Sequence, residues 1–170
     1  MKKDKLKRAP GSSPENLTTP APGEDRSAGE SILTACEMLS SERYQAFVEN
    51  IEEGVYELDI HGNFLYFNNS LCRIFGYPME EIQFQNFAKF LDEEQAGRGS
   101  EAFGRMYQTG QGVTDLNWKI TKKDGSVSVV ELSANLIVNK EKEKIGFRGI
   151  VRDITDKFNA QESLRNSERL

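Results

Sequence analysis

Apolar residues recur at helical spacing in one place and at strand spacing in several others. Tyr44, Phe47, Val48 and Ile51 fall at i, i+3, i+4 and i+7 and make one helical stripe. The pattern predicts a helix over residues 31–51. Ile32, Ala35, Cys36 and Leu39 fit earlier turns of it, while Ser40 or Ser41 suits a cap for a later start, with Glu42 in the first turn. Glu52, Glu53 and Gly54 stop it. From Val55 the period drops to two, with Tyr56, Leu58 and Ile60 sharing a face. His61, Gly62 and Asn63 supply turn chemistry before the aromatic run 64–67, so residues 55–67 read as a hairpin. Asn68 or Asn69 suits the N-cap of a short helix over 71–75. Gly76 suits its left-handed C-terminal position, and Pro78 prevents continuation.

A second short helix starts at Met79, and Phe84, Phe87, Phe90 and Leu91 suggest further helical turns. Residues 93–108 read as a longer helix. Ala96, Phe103, Met106 and Tyr107 give it an imperfect stripe, and Gly97, Gly99 and Gly104 weaken it. Residues 109–112 end it. Leu116, Trp118 and Ile120 alternate within a strand over 113–121. Lys123, Asp124 and Gly125 make a tight turn, 126–138 is a long β-branched run, and 145–154 is the closing strand. Two strands, short helices, then three strands predict an α+β fold. The two halves are expected to join in one antiparallel sheet of five strands, with the helices on one face.

Composition divides the chain further. Of its 170 residues 37% are hydrophobic, below the ~45–50% usual for a globular domain. The deficit is local. Residues 1–30 hold four of the five prolines and few large apolar side chains, so a disordered tail is expected there. Lys2, Lys3, Lys5, Lys7 and Arg8 form a basic cluster with no interleaved aromatic, which reads as a solvated tail. The net charge of −5 gives no nucleic-acid signal. No run reaches the ~18 apolar residues of a membrane span, and Pro, Ser and Gly follow the basic start instead of a signal-peptide core. Cys36 and Cys72 make no metal spacing or disulfide framework, which points to a reducing, cytoplasmic location. There is no P-loop, no G-x-S-x-G and no H-E-x-x-H. The chain is therefore expected to be no enzyme by itself.

Several short motifs follow one another in a set order. They are Asp59 and Gly62 of the hairpin, Asn68 after it, Phe75-Gly76-Tyr77, Glu81, the stretch Leu91-Asp92-Glu93-Glu94, Thr109-Gly110, Lys123-Asp124-Gly125 and the closing Arg152-Asp153-Ile154-Thr155. Their order and spacing over residues 41–155 resemble the PAS domain, a sensory and dimerisation module of signalling proteins. The chain departs from that family at Phe84, where glycine is frequent. The resemblance divides the chain into a tail (1–30), an N-terminal flanking helix (31–51), the PAS domain (41–155) and an exit or linker helix (156–170).

The resemblance implies a signal-sensing and interaction module that relays a ligand's or partner's state through its terminal helices. A homodimer built on those helices is expected, with a downstream signalling domain or kinase as the output partner. Residues 162–170 resemble the linker into another PAS or kinase domain. That keeps open a second reading, the N-terminal piece of a sensor histidine kinase in a two-component phosphorelay. A third, a flavin or haem receptor, finds little support in the residues. His61, the single histidine, falls in a turn instead of an axial-ligand position, and Cys72 precedes the Gly76-Tyr77 pair whereas the photoadduct cysteine of the family follows it. No cofactor is expected, and the resemblance leaves room for an unknown small ligand. The resemblance puts it between the central helices and the concave face of the sheet, lined by Phe64, Ile74, Phe90, Phe103, Trp118, Leu132 and Ile150. Those residues equally suit a packed core. Asp153, Ile154 and Thr155 form the signal exit, with Thr155 capping the outgoing helix and Asp153 anchoring its base.

Overall fold

A computed structural model describes residues 24–169, with side chains from Thr34 onward. The chain divides into two units, one ending at Glu42 and one spanning Arg43–Leu170. Helix α1 (Glu24–Asn50) begins in the first unit and ends in the second. It starts before the residue 31 expected from the pattern. Residues 1–23 of the expected disordered tail lie outside the described residues, and 24–30 form the first turns of α1. Ser40 and Ser41 lie inside this helix and cap nothing. Only part of the predicted stripe is buried. Val48 is covered and Ile51 half-covered, but Phe47 is 66% exposed and Tyr44 also faces solvent.

The second unit is an α+β fold. Strands β1 (Gly54–Asp59), β2 (Phe64–Phe67), β3 (Val113–Thr121), β4 (Val127–Val138) and β5 (Lys144–Asp153) form one antiparallel sheet in the order β2-β1-β5-β4-β3. Between β2 and β3 come α2 (Asn69–Phe75), α3 (Met79–Ile82), a 3₁₀ turn (Phe87–Phe90) and α4 (Glu93–Thr109). They cover the face that carries Tyr56, Leu58, Trp118, Leu132, Phe147 and Val151. Helix α5 (Thr155–Glu168) follows β5. Within α4, Asp92 caps the start by accepting from the Gln95 N–H at 2.8 Å. Gly99 lets that helix approach the sheet: a Cβ there would lie 2.8 Å from the Phe87 ring and 2.9 Å from Trp118.

Asn68 joins three of these elements. It is fully buried, and its side chain makes four hydrogen bonds. Oδ1 accepts from Val55 N at 2.9 Å and Leu71 N at 3.1 Å. Nδ2 donates to Val48 O at 2.8 Å and Glu53 O at 3.0 Å. One amide thus caps α2, fixes the start of β1 and holds the last turn of α1. Ser70 adds a bond from Oγ to Ile51 O at 2.6 Å.

Phe84 occupies the left-handed region, at φ 61°. Its N–H donates to Phe64 O at 3.0 Å, and that bond keeps the loop beside β2. The chain therefore adopts there a backbone that glycine would accept freely, at a cost of about 1–2 kcal/mol for a residue with a Cβ. The ring is 66% exposed and returns little by burial.

Asn68→Asp would aim a carboxylate oxygen at the Val48 and Glu53 carbonyls. It should lower the unfolding free energy by about 3 kcal/mol at pH 7, read from urea midpoints at constant m. The carboxyl would titrate higher folded than unfolded. Its stabilising form is thus fully present below the unfolded value of about 4 and lost as pH rises through the folded one. The deficit should shrink in acid; a deficit that is flat from pH 7 to pH 3 would contradict this. Phe84→Gly should stabilise the domain by about 0.5–1 kcal/mol, the strain relieved less the greater chain entropy of glycine. An unchanged or lower urea midpoint would show that no strain is held at this residue.

Candidate functional site

The covered face of the sheet holds an aromatic interior. Phe64 meets Phe67, Phe75 and Phe90 edge-on, with centroids 5.8–6.0 Å apart. Phe87 stacks on Trp118 at 5.9 Å and 16°, and Phe103 packs on Phe147 at 4.9 Å. The space left among these rings is ≈20 Å³, about what one water molecule occupies. Its walls are almost entirely apolar. Of the seven residues expected to line a ligand site, Phe64, Phe90, Phe103, Trp118 and Leu132 surround this cavity.

The other two do not. Ile74 is buried on α2, where its Cδ1 lies 3.4 Å from the position a Cβ on Gly54 would take. Ile150 is 46% exposed on the opposite face of the sheet, and Val151 lines the cavity in its place. Side chains alternate along a strand. Phe147 points inward, so 149 and 151 share its side and 150 cannot. The lining residues not anticipated were Tyr56, Leu58, Phe75, Phe87, Leu91, Ile120, Val130 and Val151. Counting by two from Phe147, or from Tyr56, would have found the strand members. Tyr56 also ties the sheet across β5: its hydroxyl donates to Ser133 O on β4 at 3.0 Å, and burial pushes its pKa up.

The exit joins sheet and helix through a single residue, Ile154. Its N–H donates to Val129 O on β4 at 2.9 Å. Thr155 Oγ1 accepts from Val129 N at 3.0 Å and donates to Asp153 Oδ1 at 2.5 Å. The expected cap is therefore corrected. Thr155 is the first residue of α5, and its hydroxyl serves the sheet. The N-cap position is Ile154, which has no side-chain bond to give. Asp153 does hold the base of the helix, accepting also from Thr155 N at 3.0 Å.

A family model described as the PAS fold matches residues 42–154, more than half of the chain. The chain belongs to the PAS family. The PAS domain of an HTR-like protein from Haloarcula marismortui superposes with a TM-score of 0.62 at 20% identity, covering 73% of this chain and 99% of that one. A domain of a sensory box sensor histidine kinase/response regulator from Geobacter sulfurreducens gives 0.57 at 24%, covering 67% and 94%. At these identities the likeness shows the fold. A nitrogen fixation regulatory protein from Klebsiella oxytoca is 24% identical over 150 residues, and the chain spans 28% of its length.

The PAS motifs acquire physical roles. Asp59 closes the first hairpin, accepting from His61 N, Asn63 N and Asn63 Nδ2 at 2.8–2.9 Å. Partial burial raises its pKa, but these donors outweigh it and hold the carboxyl below its ordinary value. Glu81 on α3 pairs with Lys123 in the β3–β4 turn. His61 is exposed at the hairpin tip, and Cys72 is half-buried against the core, its thiol pKa pushed up chiefly by burial. Among the described residues no cluster of His, Cys, Asp and Glu suits a metal.

The two faces of the sheet predict unequal responses to truncation. Phe103→Ala should destabilise the PAS domain by about 3–5 kcal/mol, whereas Ile150→Ala should cost about 0.5 kcal/mol or less. Comparable losses in chemical denaturation would mean that the inward and outward assignments are wrong.

Proposed function

We propose that this PAS domain is a signal relay whose output is α5, read by a downstream signalling domain such as a kinase of a two-component phosphorelay. A single observation supports it most: Val129 bonds both Ile154 and Thr155, and its neighbour Val130 lines the aromatic interior. A shift of the packed rings displaces β4, and β4 holds the first turn of the helix through two hydrogen bonds. The chain is then a sensor that performs no reaction itself. No described helix is long and apolar enough to cross a membrane, and we place the relay in the cytoplasm.

Dimerisation supplies the second half of the proposal. Helix α5 buries no residue against the domain, and Leu164 is exposed along it. Tyr44 and Phe47 are exposed on α1. An isolated helix of the length of α5, 14 residues, is marginal in water, and we assign these surfaces to a second copy of the chain. Phe47→Lys and Leu164→Lys should each shift a dimer toward monomer in sedimentation; a monomer at every concentration without these changes would refute the dimer.

The relay is tested by a double-mutant cycle on Val130→Ala and Thr155→Val, with exchange of α5 amide hydrogens as the readout. Thr155→Val should speed that exchange about fivefold, the worth of one hydrogen bond. The two changes should be coupled by about 0.5 kcal/mol or more. Effects that add to within about 0.3 kcal/mol would mean that the interior and α5 are independent.

A further inference from the structure

A cleft of ≈390 Å³ lies between the β1–β2 turn and the C-terminal half of α4, within the ~300–1,000 Å³ range of small-molecule sites. Its floor is aromatic, with Phe87, Phe103 and Phe147 all buried. Its rim is polar and exposed, formed by His61, Ser100 and Gln108. Among the described residues the side chains of these three make no hydrogen bond, so their donors and acceptors are available. No lining residue is an acid, a lysine or an arginine. The Lys144 ammonium is not among the lining groups; it lies 4.7 Å from the Tyr107 ring centroid and donates to Tyr107 O.

Gly104 is the informative residue. It lies inside α4, where glycine weakens a helix. Packing does not require it, since a Cβ there would meet nothing within 4 Å. Gly99, one helical stretch earlier, is required by the rings beneath it. Gly97 is equally free of contacts, but only Gly104 lines the cleft, where a bulky side chain would narrow it.

We propose that this cleft, and not the filled interior, is the ligand site, and that it takes a small, planar, uncharged molecule with an aromatic body and an amide-like polar edge. The body would lie on the Phe87 and Phe103 rings, with the polar edge toward Ser100 and Gln108. The absence of a compensating charge argues against an ionised ligand. Phe87 and Phe103 line the interior cavity as well as the cleft, and Trp118 stacks on the first and meets the second edge-on at 6.4 Å. Occupancy would therefore be felt inside the domain. That last step rests on the relay reading; the binding itself does not.

The test titrates the full ¹⁵N-labelled chain with benzamide and naphthalene-2-carboxamide, using benzoate as the charged control. Saturable shifts are expected at the Gly62, Ser100 and Gly104 amides and the Trp118 indole. Benzamide should bind in the millimolar range, and the larger probe several-fold tighter. Gly104→Leu should abolish the shifts with the circular dichroism spectrum unchanged. Gln108→Ala should weaken binding about fivefold. Shifts that never saturate, that scatter over the surface or that survive both substitutions would overturn the site. Benzoate binding as well as benzamide would overturn the uncharged class. Binding at the cleft with no change in α5 exchange would sustain the site while counting against the relay. A relay intact in the double-mutant cycle with no binding here would overturn the site alone.

Discussion

Everything in the second unit depends on one buried amide. Asn68 has two donor hydrogens and an oxygen with two acceptor sites, and the fold uses all four. Its partners lie at the end of α1, around the start of β1 and in the first turn of α2. No other short side chain reproduces this. Aspartate has no donors when ionised, serine has one, and glutamine displaces the group by a methylene. Its backbone takes part as well, since Asn68 N donates to Val55 O at 3.2 Å. The register of β1 against β2, the entry of α2 and the stopping point of α1 are therefore one decision. The cost of burying a polar side chain is offset because none of its bonds is missing.

That decision reaches the opposite end of the chain through the sheet. Gly54, the first residue of β1, pairs with Val151 near the end of β5. The end of α1 and the start of α5 are thus brought to the same end of two adjacent strands. Arg152 lies 3.4 Å from Glu53 and 3.8 Å from Glu131, which links β5 to β4 and to the residue before β1. Exposed ion pairs of this kind add little stability. Their relevance is geometric: both connections to the flanking helices leave from one place, where a single displacement of the sheet moves both.

Much of this was legible in the sequence because it is decided locally. The five strands, the short helices, the cap at Asn68 and the left-handed glycine at Gly76 follow from period, caps and turn chemistry. What was not legible was decided at a distance. Val55, Val48 and Glu53 as partners of Asn68 cannot be read from its neighbours, although a cap could. Ile150 and Val151 are both β-branched, and only the parity fixed by Phe147 separates them. Thr155 looks like a helix cap because threonine usually is one at such a place. Here β4 lies within reach of its hydroxyl, and the sheet takes the bond. The start of α1 was missed because residues 24–30 carry no apolar stripe to mark a helix. Phe84 was visible as a departure from the family, but its left-handed backbone was not, because the Phe64 carbonyl that holds it lies across the loop.

The filled interior constrains how such a domain can respond. A cavity of ≈20 Å³ cannot admit a ligand unless rings move, and close-packed interiors resist small continuous deformation. Phe87, Phe103 and Trp118 are in mutual contact, at 5.1, 5.9 and 6.4 Å between centroids. If one ring turns, the other two must follow or leave a void, and a void has a cost in lost contacts. The group should therefore occupy a small number of discrete arrangements instead of a continuum, which is the property a switch requires. Trp118 on β3 pairs with Val130 on β4, and Val130 is adjacent to the residue that holds the first turn of α5. The tight core, which looks at first like an argument against sensing, is what would let a change at one surface arrive at the other without being absorbed on the way.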